Sequence, residues 1–102
     1  MKHRFEQEKG NLIIFMPKEL DHHSAQDLRT ETDFLLARYP VRGMVFDFQE
    51  TTFMDSSGIG MILGRCKQMG FCGGRVCAIH LNPQVQKIFR MSGLYKVVEV
   101  EL

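Results

Sequence analysis

The longest uninterrupted apolar run in the 102-residue chain is five residues, Leu12 to Met16. A helix spanning a bilayer needs about 20, so no membrane span is expected. No charge of one sign dominates: 13 basic residues stand against 12 acidic ones. With no basic stripe visible, nucleic-acid binding is not expected. Cysteine is scarce, and Cys66, Cys72 and Cys77 form no CxxC pair. An odd count without such a pair argues against a disulfide framework and fits a reducing compartment. Zinc needs four ligands, which His80 and the cysteines would supply only by coincidence. No metal or cofactor is therefore expected. Lys2, His3 and Arg4 could start a secretion signal, but Glu6, Gln7, Glu8 and Lys9 fill the place of its apolar stretch. The chain reads as cytoplasmic. Repeats and low-complexity segments are absent. So are the GxSxG and SxxK motifs of serine catalysis and the GK[ST] of a phosphate-binding loop.

What is present is one domain's worth of sequence, 44% hydrophobic and 25% charged, enough for a single core. Leu12 to Met16 reads as a buried strand stopped by Pro17. An edge strand around Arg4 to Glu8 pairs with it through a turn at Lys9-Gly10-Asn11. Asp21, with Ser24 as a rival, caps a helix. Its inner face is Ala25, Leu28, Phe34, Leu35 and Tyr39, and Pro40 closes it. Met44 to Phe48 is a second strand. A helix follows from about Ser56 to Met69, ending near Gly70. Arg75 to Ile79 is a further strand. Asn82 before Pro83 caps a helix with Val85, Ile88 and Phe89 inward, stopping at Ser92-Gly93. Tyr95 to Val100 is read as a last strand. This alternation predicts an α/β domain over residues 1–102, a four- to five-stranded mostly parallel sheet with packed helices. Partners of such sheets gather beyond the carboxyl ends of the strands.

The turn after Phe48 leads to such an end, with Asp55 and Ser56 where the helix begins. A short polar side chain there caps free amides for about 1 kcal/mol, which alone would explain an Asp-Ser-Ser-Gly. Here, though, three polar residues stand in a row. Gly58, Gly60 and Gly64 also fall in the first turns, each costing about 0.5–1 kcal/mol against alanine. Close approach of a partner explains them, or, for Gly64, packing on the sheet. The amides and the positive end of the helix would also hold a phosphate on Ser56. The glycine spacing weakly resembles a nucleotide-binding loop. However, the glycines follow the cap, and no acidic residue stands about twenty positions on. His22 and His23 could in principle serve Ser56 as a base. As solvated first-turn residues they need no such role.

Phe53-Met54-Asp55-Ser56-Ser57-Gly58-Ile59-Gly60-Met61-Ile62-Leu63-Gly64-Arg65 resembles the phosphorylation segment of the bacterial anti-sigma factor antagonists of the STAS domain family, its sporulation branch in particular. Glu19-Leu20-Asp21-His22-His23-Ser24-Ala25 resembles that family's approach to its first helix. Met91-Ser92-Gly93-Leu94-Tyr95-Lys96-Val97 resembles its stretch before the last strand. The resemblance implies that Ser56 is phosphorylated by a partner kinase, itself the anti-sigma factor, and that a serine phosphatase reverses this. It further implies that the unphosphorylated form binds the anti-sigma factor and frees the sigma factor. Asp21, His22, His23, Asp55, Ser57, Gly58 and Gly60 would flank Ser56 in the binding surface, with no catalysis by the chain itself. Family members of two other kinds remain as alternatives: nucleotide-binding domains, and adaptors of stress-signalling or transport assemblies. The transport adaptors often lack the serine. Two departures carry expectations of their own. Met16-Pro17-Lys18-Glu19 lacks the family's usual glycine, so that turn should be built differently. Leu102 comes soon after the last strand, where relatives continue into a helix, so sheet surface should be left for something else to cover, such as a second copy in a weak homodimer.

Overall fold

The computed structural model describes residues 1–71 and 73–101. Strand β1 (Arg4–Glu8) runs antiparallel to β2 (Asn11–Phe15). They are joined by a tight turn in which Lys9 and Gly10 both take positive φ, 51° and 85°. This is the two-residue hairpin geometry that glycine favours. Three further strands continue the sheet in parallel: β4 (Gly43–Asp47), β6 (Arg75–Ile79) and β7 (Glu99–Glu101), in the order β1-β2-β4-β6-β7. Helices α1 (His22–Arg38), α2 (Ser56–Phe71) and α3 (Pro83–Ser92) fill the crossovers. The α/β class, the antiparallel edge hairpin and the five-stranded count follow the expectation. Two short strands were not foreseen, β3 (Glu19–Leu20) and β5 (Phe53–Met54), which pair in parallel as a separate small sheet.

Burial alternates along the main sheet. Leu12, Ile14, Met44, Phe46 and Ala78 are inside, and one cluster joins them to Leu28 of α1, Met61 and Ile62 of α2, and Val85 and Phe89 of α3. Phe48, just beyond β4, stacks edge-on against Phe89 at 5.4 Å between ring centroids. The alternate residues, Ile13, Val45 and Cys77, lie on a face that no helix among the described residues covers and are only half-buried.

Two local expectations are corrected. The inner face of α1 is Ala25, Leu28, Thr32 and Leu35, while Phe34 and Tyr39 are exposed. Thr32 is tolerated inside because its hydroxyl donates to the Leu28 carbonyl at 2.7 Å and accepts from Arg65 of α2 at 3.2 Å. Tyr95 does not begin a strand. Leu94–Lys96 is a 3-10 turn, and β7 starts only at Glu99. The end of α2 at Phe71 lies within a residue of the end expected near Gly70.

Candidate functional site

The small sheet of β3 and β5 builds the site. Leu20 and Met54 are register partners, both buried, and the Asp55 amide donates to the Leu20 carbonyl at 3.1 Å. The residue after each strand is an aspartate that caps a helix, so the two helix starts lie side by side. Asp21 caps α1 in a reciprocal box. The Ser24 amide donates to its carboxylate at 3.0 Å, and its own amide donates to the Ser24 hydroxyl at 2.9 Å. Cap and rival thus share the work. The Ser24 amide also holds the Asp21 carboxyl below its ordinary pKa. Asp55 caps α2, its Oδ1 accepting from the Ser57 amide at 2.8 Å and the Gly58 amide at 3.3 Å.

Ser56 is therefore the first residue inside the helix, not the cap. It is exposed, and its hydroxyl makes no hydrogen bond among the described residues. Ser57 is half-buried. With Gly60 it lines a shallow groove shared with His22, Ala25, Gln26 and Arg29 of α1. His23 is exposed beside His22, the two rings meeting edge-on at 5.8 Å. Neither imidazole is hydrogen-bonded to Ser56 among the described residues, so no base addresses its hydroxyl. The expectation that amides stand free for a phosphate is corrected as well. The Asp55 carboxylate already takes those of Ser57 and Gly58.

The three glycines part company. A Cβ on Gly58 would lie 2.7 Å from Leu20 Cγ and 2.9 Å from Met54 Cγ, so this glycine serves the packing of α2 on the small sheet. Gly60 and Gly64 have nothing within 4 Å of an added Cβ. Gly64 is therefore not a packing residue, and Gly60 leaves a smooth exposed surface next to Ser56. Gly58→Ala is expected to destabilise the fold by about 1–3 kcal/mol through overpacking. Gly60→Ala is expected to leave it unchanged or firmer by up to about 1 kcal/mol. Thermal melting of both variants checks the pair. Equal destabilisation would contradict it.

The loop before α2 is anchored from behind. Buried Thr51 donates its hydroxyl to the Pro17 carbonyl at 2.8 Å, and its own carbonyl accepts from the Asn82 amide side chain at 2.7 Å. The Lys18 carbonyl accepts from the amides of Thr52 at 2.8 Å and Phe53 at 3.2 Å. The turn at Pro17-Lys18 is thus held by hydrogen bonds, and Lys18 is not among the residues with positive φ, so no glycine is required there. Asp47 is turned away from the site, its carboxylate accepting from the Gln49 amide at 2.9 Å and lying 3.0 Å from His80 Nδ1. Among the described residues no three His, Cys, Asp or Glu side chains converge as metal ligands. Cys66 packs against the core and Cys77 on the open sheet face, while Cys72 lies outside the described residues. Burial pushes the Cys66 thiol up to about 11. No helix among the described residues is long and apolar enough to cross a membrane.

Paired helix starts on the two-stranded sheet include a Phe53-to-Arg65 segment with its serine exposed, and the STAS domain profile matches residues 3–102. The chain belongs to the STAS domain family. Over 95 residues it is 37% identical to the anti-sigma F factor antagonist of Paenibacillus polymyxa, covering 93% of this chain and 81% of that one. The solved anti-sigma factor antagonist SpoIIAA in its unphosphorylated form matches with a TM-score of 0.85 at 29% identity, covering 98% of this chain and 88% of that one. The phosphorylated form of SpoIIAA, a Bacillus cell fate determinant, matches at 0.77 and 28%, covering 98% and 91%. This STAS domain displays Ser56 exposed, one residue after the Asp55 cap of α2.

Proposed function

We propose that this STAS domain is an anti-sigma factor antagonist switched by phosphorylation of Ser56. The observation that carries the reading is the exposed, unengaged hydroxyl of Ser56, one residue after the Asp55 cap and beside the bare backbone of Gly60. In the unphosphorylated form, the α1 and α2 helix starts bind an anti-sigma factor and release its sigma factor. Asp21, His22, His23, Asp55, Ser57 and Gly60 provide the surface. Gly58 supports it from inside by letting α2 sit on Leu20 and Met54. The anti-sigma factor acts as the serine kinase and a serine phosphatase resets the switch. The chain itself catalyses nothing and works in the cytoplasm.

The sign of the switch, release on phosphorylation, is the one the family resemblance implies, and the local charge agrees with it. A phosphate adds about −1.5 to −2 charges and three strong acceptors. At a free helix N-terminus it would be welcomed. Here the Asp55 carboxylate holds two of the amides it would use, so the phosphate stands as a second anion beside the first and projects toward the partner. Binding weakens. The same occupancy of the amides argues against a nucleotide phosphate at this helix. The test is release of a sigma factor. Added to the cognate sigma–anti-sigma complex, the unphosphorylated chain should displace the sigma factor stoichiometrically and restore transcription. A complex left intact by a molar excess would overturn the reading.

A further inference from the structure

Arg65 of α2 is only 9% exposed, and arginines are seldom buried unless paired. Its Nη1 donates to the Thr32 hydroxyl at 3.2 Å and to the Asp33 carboxylate, both on α1. Among the described residues these are the side-chain hydrogen bonds that join the two helices. Thr32 is fully buried, while Asp33 is exposed. Arg65 Nε is buried and has no partner among the described residues. Stability is a poor reason for such an arrangement. A desolvated ion pair is often no better than apolar side chains of similar volume.

We propose that Arg65 is a positioning residue for the anti-sigma factor: tied to Thr32 and Asp33, it fixes the width of the groove between α1 and α2 that Ser57 and Gly60 line. The inference rests on the antagonist reading above. Strands β3 and β5 are parallel and lead directly into the helices, so α1 and α2 set out side by side. At 1.5 Å per residue, Thr32 lies about 15 Å along α1 from His22, and Arg65 about 14 Å along α2 from Ser56. The pair is thus held at two levels. At the start, the Asp55 amide donates to the Leu20 carbonyl across the small sheet. At the far level stands Arg65. The groove lies between them, with His22, Gln26 and Arg29 across from Ser57 and Gly60. On that side α2 is bare at Gly60, where an added Cβ meets nothing within 4 Å. Beneath, Ala25 and Leu28 join Met61 and Ile62 in the core, but apolar packing is non-directional. A guanidinium with acceptors on two adjacent residues is directional and sets one helix against the other. Released from it, α1 tilts about the small sheet, and the helix starts lose the spacing that the partner reads.

Arg65→Met tests this, since it keeps an unbranched side chain and removes the charge and its bonds. The variant should melt no lower than the wild type, yet bind the cognate anti-sigma factor at least fivefold more weakly. Arg65→Lys keeps the charge without the fork and should fall between the two. Asp33→Asn, at an exposed position, should likewise weaken binding and leave the chain folded. A second measurement needs no partner. In the free chain, Arg65→Met should shift the backbone NMR resonances of His22 and Gln26 and leave those of Val85 and Phe89 on α3 in place. Full affinity in both Arg65→Met and Asp33→Asn would overturn the proposal. So would unmoved His22 and Gln26 resonances, or a loss of binding matched by a low melting temperature in every variant, which would make Arg65 a residue of stability alone. A wild-type chain that does not bind the anti-sigma factor would end the antagonist reading instead, and the resonances of the free chain still decide whether Arg65 sets the groove.

Discussion

Ser56→Ala is expected to abolish phosphate transfer to the chain and to lock it on its anti-sigma factor. Ser57→Ala is expected to keep the label. The two neighbours are chemically equal, and their surroundings decide between them. Ser56 stands exposed with an unengaged hydroxyl, while Ser57 is half-buried between the helices with its amide bound to Asp55. Successive residues on a helix point about 100° apart, so a kinase that reaches one hydroxyl does not reach the other in the same pose. Ser56→Asp should reproduce release only in part, since one carboxylate carries less charge and fewer acceptors than a phosphate. Fragment mass spectrometry after incubation with the kinase and ATP distinguishes the sites. Label that survives Ser56→Ala and vanishes in Ser57→Ala would reverse the assignment.

The second large effect lies beneath the site. Phe48 is fully buried, edge-on to Phe89 of α3 and tilted 42° against Phe46. It is also the last core residue before the loop that presents Asp55 and Ser56. Phe48→Ala leaves a cavity between the sheet and α3 and is expected to destabilise the fold by about 3–5 kcal/mol. In a domain of this size each kcal/mol shifts the melting temperature by about 4–8 °C, so a fall of roughly 12–40 °C is expected. Calorimetry reads it directly. A shift of only a few degrees would mean that the Phe48–Phe89 contact does not hold the loop end of the sheet.

Signals confined to a few neighbouring residues were legible before the structure. Lys9-Gly10 fixed the hairpin, and Asn82-Pro83 and Gly93 fixed both ends of α3, with Gly93 in the left-handed conformation at φ 80°. What escaped depends on longer range. Thr32 occupies a core position of α1 because its hydroxyl is satisfied inside the molecule, so hydrophobicity alone passed it over for Phe34. Val97 and Val98 suggested a strand, yet the buried pair Leu94 and Val98 is four residues apart, and the Val98 amide bonds the Leu94 carbonyl at 2.9 Å, a helical spacing. The small sheet of β3 and β5 has only two residues per strand. Its trace in the sequence is an apolar residue directly before each aspartate cap, Leu20 and Met54, in the position that braces a helix start. The same pairing explains the glycines: Gly58 meets Leu20 and Met54, whereas Gly60 and Gly64 meet nothing, a distinction that spacing within one helix cannot draw.

One phosphate on Ser56 is expected to separate a binding form from a released form. Titration calorimetry of the cognate anti-sigma factor tests it, using the chain as purified and after complete phosphorylation verified by mass. The unphosphorylated chain should bind one to one. The phosphorylated chain should bind at least tenfold more weakly, a loss of about 1.4 kcal/mol or more, with affinity restored by phosphatase treatment. Equal affinity of the two forms would mean that Ser56 is not the switch.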